Sequence, residues 1–293
     1  RQRQMCIRDR LTFTLVATGS TSTSEAFAID WNNDGTVDQT VTGAATGTQV
    51  VHAFDGTGSV TFKVSLPTTT ISSTQTVSLK TIEKSGSTVT LGGTSGDDVI
   101  TVDSYRGTGV TIKLNGAVVG QFKNVNTVVV YGGDGNDTIT ANQWLLARTL
   151  FFGGAGNDRL TGGFGDSVLV GGDGNDTLEG RFGDDVLIGG VGKDSLKGGF
   201  GANLMLGGST SYDANDAALL SLVNAWTAPA SLSRRIAKVN ASSTPLTGSA
   251  VTASDAAVDT IVSRYAMDWI IASSTDNDSV TTRGRLARVN RLA

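Results

Sequence analysis

Disulfides, membrane-spanning segments and hydrolase signatures are all missing from this sequence. The chain has 1 cysteine among 293 residues, Cys6, so no intramolecular disulfide can brace it. No run approaches the roughly 18 consecutive apolar residues of a membrane-spanning helix. Neither H-E-x-x-H nor G-x-S-x-G occurs, so the usual marks of zinc proteases and serine hydrolases are lacking and nothing points to an enzyme. GDS at 165–167 looks like a nucleophile motif but falls inside a repeat. The one histidine, His52, lies in an alternating run where packing accounts for it. Basic residues number 23 against 27 acidic ones, a net charge of −4, which argues against nucleic acid as a partner. With 3 prolines, 38 glycines and much Thr, Ser and Val, the composition points to extended β structure with tight turns and little helix.

The first ten residues, RQRQMCIRDR, read as a translated sequencing adapter and carry no fold information. Over 11–66, short runs such as FAID, TQVVHAF and SVTFKV alternate apolar and polar residues between Gly, Asn and Asp clusters. That is the period-two signal of half-buried antiparallel strands. FAIDWNNDGTVDQTVTG followed by VVHAFDGTGSVTFKVSL resembles the PKD-type β-sandwich of extracellular proteins. Within it, Asp30, Asn32, Asp34, Gly35 and Asp38 match the first half of an EF-hand loop, but Val41 stands where the bidentate Glu belongs. An Asx-rich hairpin turn and a single weak calcium site both fit these residues. Residues 67–85, with the run PTTTISSTQT, read as a linker.

The next segment, 86–210, is dominated by repetition. Residues 153–206 are three consecutive 18-residue units, GGAGNDRLTGGFGDSVLV, GGDGNDTLEGRFGDDVLI and GGVGKDSLKGGFGANLML, aligned without a gap. Each is two nonapeptides of the form G-G-x-G-x-D-x-U-x, where U is a large apolar residue. GGDGNDTIT at 132–140 fits fully, and GTSGDDVIT at 93–101 fits loosely. The glycines let the chain bend back within six residues, and three residues of strand follow. The eighth place, Leu160, Leu169, Leu178, Leu187, Leu196 and Met205, sends one long apolar side chain per strand into a core shared by stacked coils. Stacking at about 4.8 Å brings sixth-place carboxylates of successive coils together, where they repel. A hard cation with oxygen ligands resolves that conflict, and Ca²⁺ accepts six to eight oxygens in flexible geometry.

The pattern resembles the hemolysin-type (RTX) calcium-binding repeat family, whose nonapeptides form right-handed parallel β-rolls. The resemblance implies ions between adjacent turns, held by sixth-place Asp carboxylates and loop carbonyls. Two nonapeptides make one coil, so odd and even repeats lie on opposite edges. On the odd edge the sixth place is Asp158, Asp176 and Asp194, with Asp137 and then Asp98 in earlier coils. On the even edge it is Ser167, Asp185 and Asn203, leaving at most one good site, at Asp185. The even edge instead repeats Phe164, Phe182 and Phe200, which are expected to stack. Even strands are also apolar at the outward seventh and ninth places, Val168 and Val170, Val186 and Ile188, Leu204 and Leu206. A strand apolar on both faces is normally covered on both.

A cover is available in the C-terminal region, 211–293. YDANDAALLSLVNAW predicts a helix over about 213–226, with Leu219, Leu222, Val223 and Trp226 on one face. Further on, AMDWIIASSTDND looks like a degenerate final repeat. The expectation is therefore an all-β chain: a small antiparallel β-sandwich, a linker, a parallel β-roll, and a capping region with a short helix. It binds calcium ions and serves as a spacer or adhesion module of a secreted or cell-surface protein, with cell-surface or matrix components as further partners. The alternative is the non-catalytic roll of a larger secreted hydrolase whose catalytic domain lies outside this sequence.

Overall fold

The structure is a computed structural model. It describes residues 10–15, 24–30, 36–37, 39–44, 48–53, 58–66, 72–79, 82–213, 215–227, 229–242, 245–246, 251–252, 257–263, 268–273, 278–282 and 287–292. Two compact units divide the chain, Arg1–Glu83 and Lys84–Ala293.

The first unit is antiparallel throughout its described strands. Arg10–Leu15 pairs with Thr48–Ala53, and a four-stranded sheet runs in the order Gln39–Ala44, Ser24–Asp30, Gly58–Ser65, Ser72–Leu79. The last of these strands lies in the stretch expected to be a linker. It pairs residue for residue with Gly58–Ser65, from Gly58 opposite Leu79 to Ser65 opposite Ser72. Thr and Val favour extended backbone, so a Ser/Thr-rich composition alone does not distinguish linker from strand. Of the EF-hand-like residues, Asp30 ends a strand and is buried. Asn32, Asp34, Gly35 and Asp38 lie outside the described residues.

The second unit is two nine-stranded sheets, between which the chain passes back and forth. The even sheet runs Thr88–Gly92, Thr127–Asp134, Arg148–Ala155, Ser167–Asp173, Val186–Val191, Leu204–Leu206, Trp269–Ser273 and Arg288–Leu292, with Ile82–Ser85 at its edge. The odd sheet runs Val99–Tyr105, Thr138–Ala141, Arg159–Thr161, Thr177–Glu179, Ser195–Lys197, Thr260–Ser263 and Ser279–Thr282. A hairpin of Gly109–Leu114 and Ala117–Phe122 extends its first strand antiparallel. All the coil-to-coil pairings are parallel and in the register that the repeat dictates, as in Leu160 with Leu178 and Leu178 with Leu196.

The eighth-place residues form the core. Ile100, Ile139, Leu160, Leu178, Leu196 and Ile261 on one sheet, and Leu91, Val130, Phe151, Leu169, Leu187, Met205 and Ile270 on the other, are all 0% exposed. Full burial of such side chains contributes roughly 1.5–3 kcal/mol each relative to exposure. No single coil could gain this, because each strand here is only a few residues long and its apolar side chain needs neighbours above and below.

The outer face of the even sheet is covered, as its double-sided apolar pattern requires. Helix α1 (Asp216–Trp226) starts at Asn215, whose side chain accepts the Ala218 N–H at 3.0 Å. Its Leu219, Leu222, Val223 and Trp226 join one buried cluster with Val168, Val170, Val186, Ile188, Leu204 and Leu206. The Trp226 indole N–H donates to Ala202 O at 2.7 Å, so its polar handle is satisfied within the contact. A second helix, α2 (Leu232–Ala241), adds Ile236 and Val239 to the cluster. The Phe ladder does form, with ring centroids 5.4 and 5.0 Å apart, but it is not covered: Phe164 is 43% and Phe200 49% exposed.

The roll also continues past 210. Thr260–Ser263 and Ser279–Thr282 extend the odd sheet, and Trp269–Ser273 and Arg288–Leu292 extend the even one. The C-terminal region is thus a helical insertion followed by further coils rather than a cap alone. Directly before their strands these coils keep only the second half of the repeat, an Asp followed by short alternation: VDTIV, MDWII and NDSVT.

Candidate metal-binding edges

The turn of each coil brings oxygen atoms together. Gly172 has φ +116°, a conformation that other residues rarely adopt, and any side chain there would strike the Gly154 carbonyl of the preceding coil. At Gly171, which opens the same turn, a Cβ would collide with both Asp176 Oδ2 and the Gly189 carbonyl oxygen of the next coil. The same pairing of a carboxylate oxygen with the next coil's carbonyl recurs at Gly132, Gly153, Gly189 and Gly180. Glycine there leaves room for two oxygens, and when the carboxylate is ionised neither carries a proton to share.

On the odd edge the sixth-place residues form one continuous ladder. The N–H of Asp98 donates to Asp137 Oδ1 at 2.8 Å, that of Asp137 to Asp158 at 2.7 Å, Asp158 to Asp176 at 2.7 Å and Asp176 to Asp194 at 2.8 Å. It then crosses the helical insertion. Asp194 donates to Asp259 Oδ1 at 2.7 Å, 65 residues on, and Asp259 to Asp278 at 3.1 Å. Each Oδ1 is thereby used by backbone. Oδ2 of Asp137 and of Asp176 is buried without a hydrogen-bond partner. Burial, above all, pushes the Asp137 carboxyl up to about 7 and that of Asp176 to about 6. Asp98 differs, since its Oδ2 accepts from Thr94 N–H at 2.5 Å and its Oδ1 from Asn115 Nδ2 at 2.7 Å. Beside this column runs a fifth-place ladder with three asparagines at its centre and Asp97 and Lys193 at its ends: Asn157 N–H donates to Asn136 Oδ1 at 2.9 Å and Asn175 N–H to Asn157 Oδ1 at 2.8 Å.

The even edge has the same backbone but different side chains. Ser167 N–H donates to Asp185 Oδ1 at 2.7 Å, Asp185 to Asn203 Oδ1 at 3.1 Å and Asn203 to Asp268 Oδ1 at 2.8 Å. Oδ2 of Asp185 and of Asp268 is buried without a partner, and burial raises both carboxyls, that of Asp268 to about 6. At Asn203, however, the atom crowding the first-place glycine, Gly198, is the donor Nδ2. An N–H there repels a cation. The fifth-place acids on this edge are matched by arginines: Arg235 of α2 lies 2.7 Å from Asp184 and Arg148 lies 3.7 Å from Asp166. Ser167 of the GDS triplet is an interior ladder residue, 0% exposed, with its hydroxyl 3.0 Å from that of Thr149.

Among the described residues, no group of three or more His, Cys, Asp or Glu is gathered as a metal cluster. The carboxylates are strung one per coil along an edge, so a cation between coils would take backbone carbonyls alongside them, which suits Ca²⁺. Sequence reasoning missed Asp259 and left Asp268 and Asp278 in a loose likeness, AMDWIIASSTDND. The signal that could have found them is an Asp two residues before an inward apolar residue, as in Asp259 with Ile261, Asp268 with Ile270 and Asp278 with Val280.

Two parallel sheets joined by glycine turns, with buried acidic oxygens at the turns, define a calcium-binding structural module of the β-roll class. Residues 129–143, 152–187 and 179–210 match the RTX calcium-binding nonapeptide repeat, in four copies, and repeats of this kind bind Ca²⁺. No curated protein and no solved structure matches the chain. No helix among the described residues is long and apolar enough to cross a membrane.

Proposed function

We infer that this chain is a calcium-stabilised spacer or adhesion module of a secreted or cell-surface protein, with metal held chiefly along the odd edge. The observation that carries the reading is the buried, partnerless Oδ2 of Asp137 and Asp176, each facing, with a carbonyl oxygen of the next coil, the space that a turn glycine leaves open. Asp137, Asp158, Asp176 and Asp194 would supply the carboxylates, and Gly153, Gly171 and Gly189 the carbonyls. Asp185 would supply a single site on the even edge. Asp98, whose oxygens are already bonded, closes the ladder at one end. Bound Ca²⁺ supplies the positive charge that these converging acceptors lack. The residues themselves set the spacing, keep water from the buried oxygens and leave the second oxygen of Asp137 and of Asp176 for the cation. Sites of extracellular modules bind at roughly 10⁻⁴–10⁻³ M, which would couple folding to export. The test is far-UV circular dichroism and thermal melting of the full chain before and after chelation. Chelation at neutral pH should lower the melting temperature of the roll sharply, and calcium should restore it. A spectrum and melting curve indifferent to chelator would refute the reading.

A further inference from the structure

The roll departs from its period in two adjacent coils, and both departures border one cavity. Asp98 and Asp137 are 39 residues apart and Asp137 and Asp158 are 21 apart, against 18 in each of the two coils that follow. The first excess holds the hairpin of Gly109–Leu114 and Ala117–Phe122. The second is a short bulge around 142–147, pinned by Leu145. That residue is 2% exposed, its N–H donates to Asn142 O at 2.9 Å, and its carbonyl accepts from Phe164 at 3.0 Å and Gly165 at 2.9 Å. Anchored this way, the bulge turns its neighbours outward: Trp144 is 65% and Leu146 71% exposed. The Trp144 N–H donates to Asn142 Oδ1 at 2.9 Å, so the indole is carried on a hydrogen-bonded turn.

The cavity between bulge and hairpin coil measures about 470 Å³, and its lining includes Thr108 and Asn126 together with Trp144, Arg148 and Asp166. That volume falls in the usual range for small-molecule sites, roughly 300–1,000 Å³. Three features define what it would accept. Trp144 offers a large apolar ring that gains by being covered. Arg148 and Asp166, 3.7 Å apart, offset each other's charge, so an ion finds little net attraction. Arg148 also donates to Asn224 Oδ1 at 2.8 Å, so its guanidinium is held in place and forms a polar rim to the cavity together with Asp166 and Asn126. A ring with one apolar face and a rim of hydroxyls satisfies all three.

We propose that this cavity binds a neutral saccharide, a pyranose ring seated against Trp144 with hydroxyls reaching Arg148, Asp166 and Asn126. None of its named residues belongs to either sixth-place ladder, and only Asp166, in the fifth-place column of the even edge, adjoins one. The test is saturation-transfer NMR on the full chain in excess calcium, with a panel of methyl pyranosides and methyl N-acetylglucosaminide as probes. At least one probe should receive saturation on its ring protons. Trp144→Ala should weaken that binding about tenfold, the equivalent of ~1.4 kcal/mol, while Trp144→Phe retains most of it. Asp166→Asn, which keeps an oxygen for the Asp184 N–H and gives up only the partly exposed ion pair with Arg148, should weaken it while lowering the melting temperature by no more than about a few degrees. If Trp144→Ala alters melting, the Trp144→Phe and Asp166→Asn pair decides. No transfer to any probe, or transfer indifferent to these substitutions, overturns the proposal, as does uptake of a hydrophobic dye at the cavity without any saccharide binding.

Discussion

On the odd edge, Asp137, Asp158, Asp176 and Asp194 stack in an unbroken acidic column, and the strands beside it are polar outside. On the even edge the column reads Ser167, Asp185, Asn203 and Asp268, and the strands are apolar on both faces. Both columns make the same coil-to-coil hydrogen bond, from a sixth-place N–H to a side-chain oxygen one coil on. The comparison separates two demands that the repeat pattern merges. Propagating the coil needs one side-chain oxygen, which Asn203 supplies as well as an aspartate does. Holding a cation needs a second oxygen, and there Asn203 presents a donor. An edge can therefore lose its metal chemistry and keep its geometry, provided another source of stability is at hand. On the even side that source is the helical cover, with Arg235 and Arg148 meeting the fifth-place acids.

The largest effect expected from breaking this contrast is on the cover. Trp226 is 0% exposed and packs on Trp269 at 6.2 Å between ring centroids. Trp226→Ala should cost roughly 3–5 kcal/mol in denaturant unfolding under saturating calcium. It should leave calcium stoichiometry intact, since the indole touches no odd-edge carboxylate. A loss below ~1 kcal/mol would mean that the even face is stable without the helix.

A smaller, metal-dependent effect separates the edges directly. Asp176→Ala removes an oxygen from the middle of the odd column, next to two potential sites, whereas Asp185 has Ser167 and Asn203 as neighbours. Calorimetric titration with calcium should show Asp176→Ala losing more bound ions than Asp185→Ala. Equal losses, or a larger loss at Asp185, would reverse the assignment of edges.

The smallest effect concerns acid. In calcium-free protein, Asp137 is raised to about 7 and Asp176 and Asp268 to about 6, chiefly by burial, from the ordinary value of 3.8. The folded roll then holds more protons than the unfolded chain between those limits, so stability is fullest below about pH 4 and is lost as pH rises through 6–7. With calcium bound the slope reverses, because protons compete for the same oxygens. Melting temperatures of calcium-stripped protein should fall from pH 4.5 to 7.5, while those of loaded protein rise. Parallel slopes would show that these carboxylates are not where the metal acts.

Much of this contrast was legible before any coordinates. The 18-residue period placed Leu160, Leu178 and Leu196 in the core, and double-sided apolar strands called for a cover that Leu219, Leu222, Val223 and Trp226 could provide. What escaped did so for physical reasons. Asp268 and Asp278 stand in coils without the glycine half of the repeat, and Asp259 is parted from its own glycine, Gly207, by the helical insertion, so only the shorter signal, an Asp before an inward apolar residue, survives around them. Helix α2 is strongly basic, LSRRIAKVNA, and its Ile236 and Val239 mark a narrow apolar stripe that period-counting passes over. Phe164, Phe182 and Phe200 were correctly expected to stack. Stacking satisfies ring faces against one another, however, and leaves their edges free to stay in water, so the ladder needs no cover.

The helical insertion carries one more consequence. Gly207, which opens a turn, and Asp259, which closes it, still meet as the two halves of a single bend, since a Cβ on the glycine would collide with the Asp259 carboxylate. The chain therefore leaves and re-enters the stack at adjoining points, the arrangement under which one folded piece can be spliced into another without disturbing either. Such a roll can be elaborated by grafting as well as by duplication. The turn at Gly207 and Asp259 is such a port, and the helices spliced in there lie over the even sheet beside it.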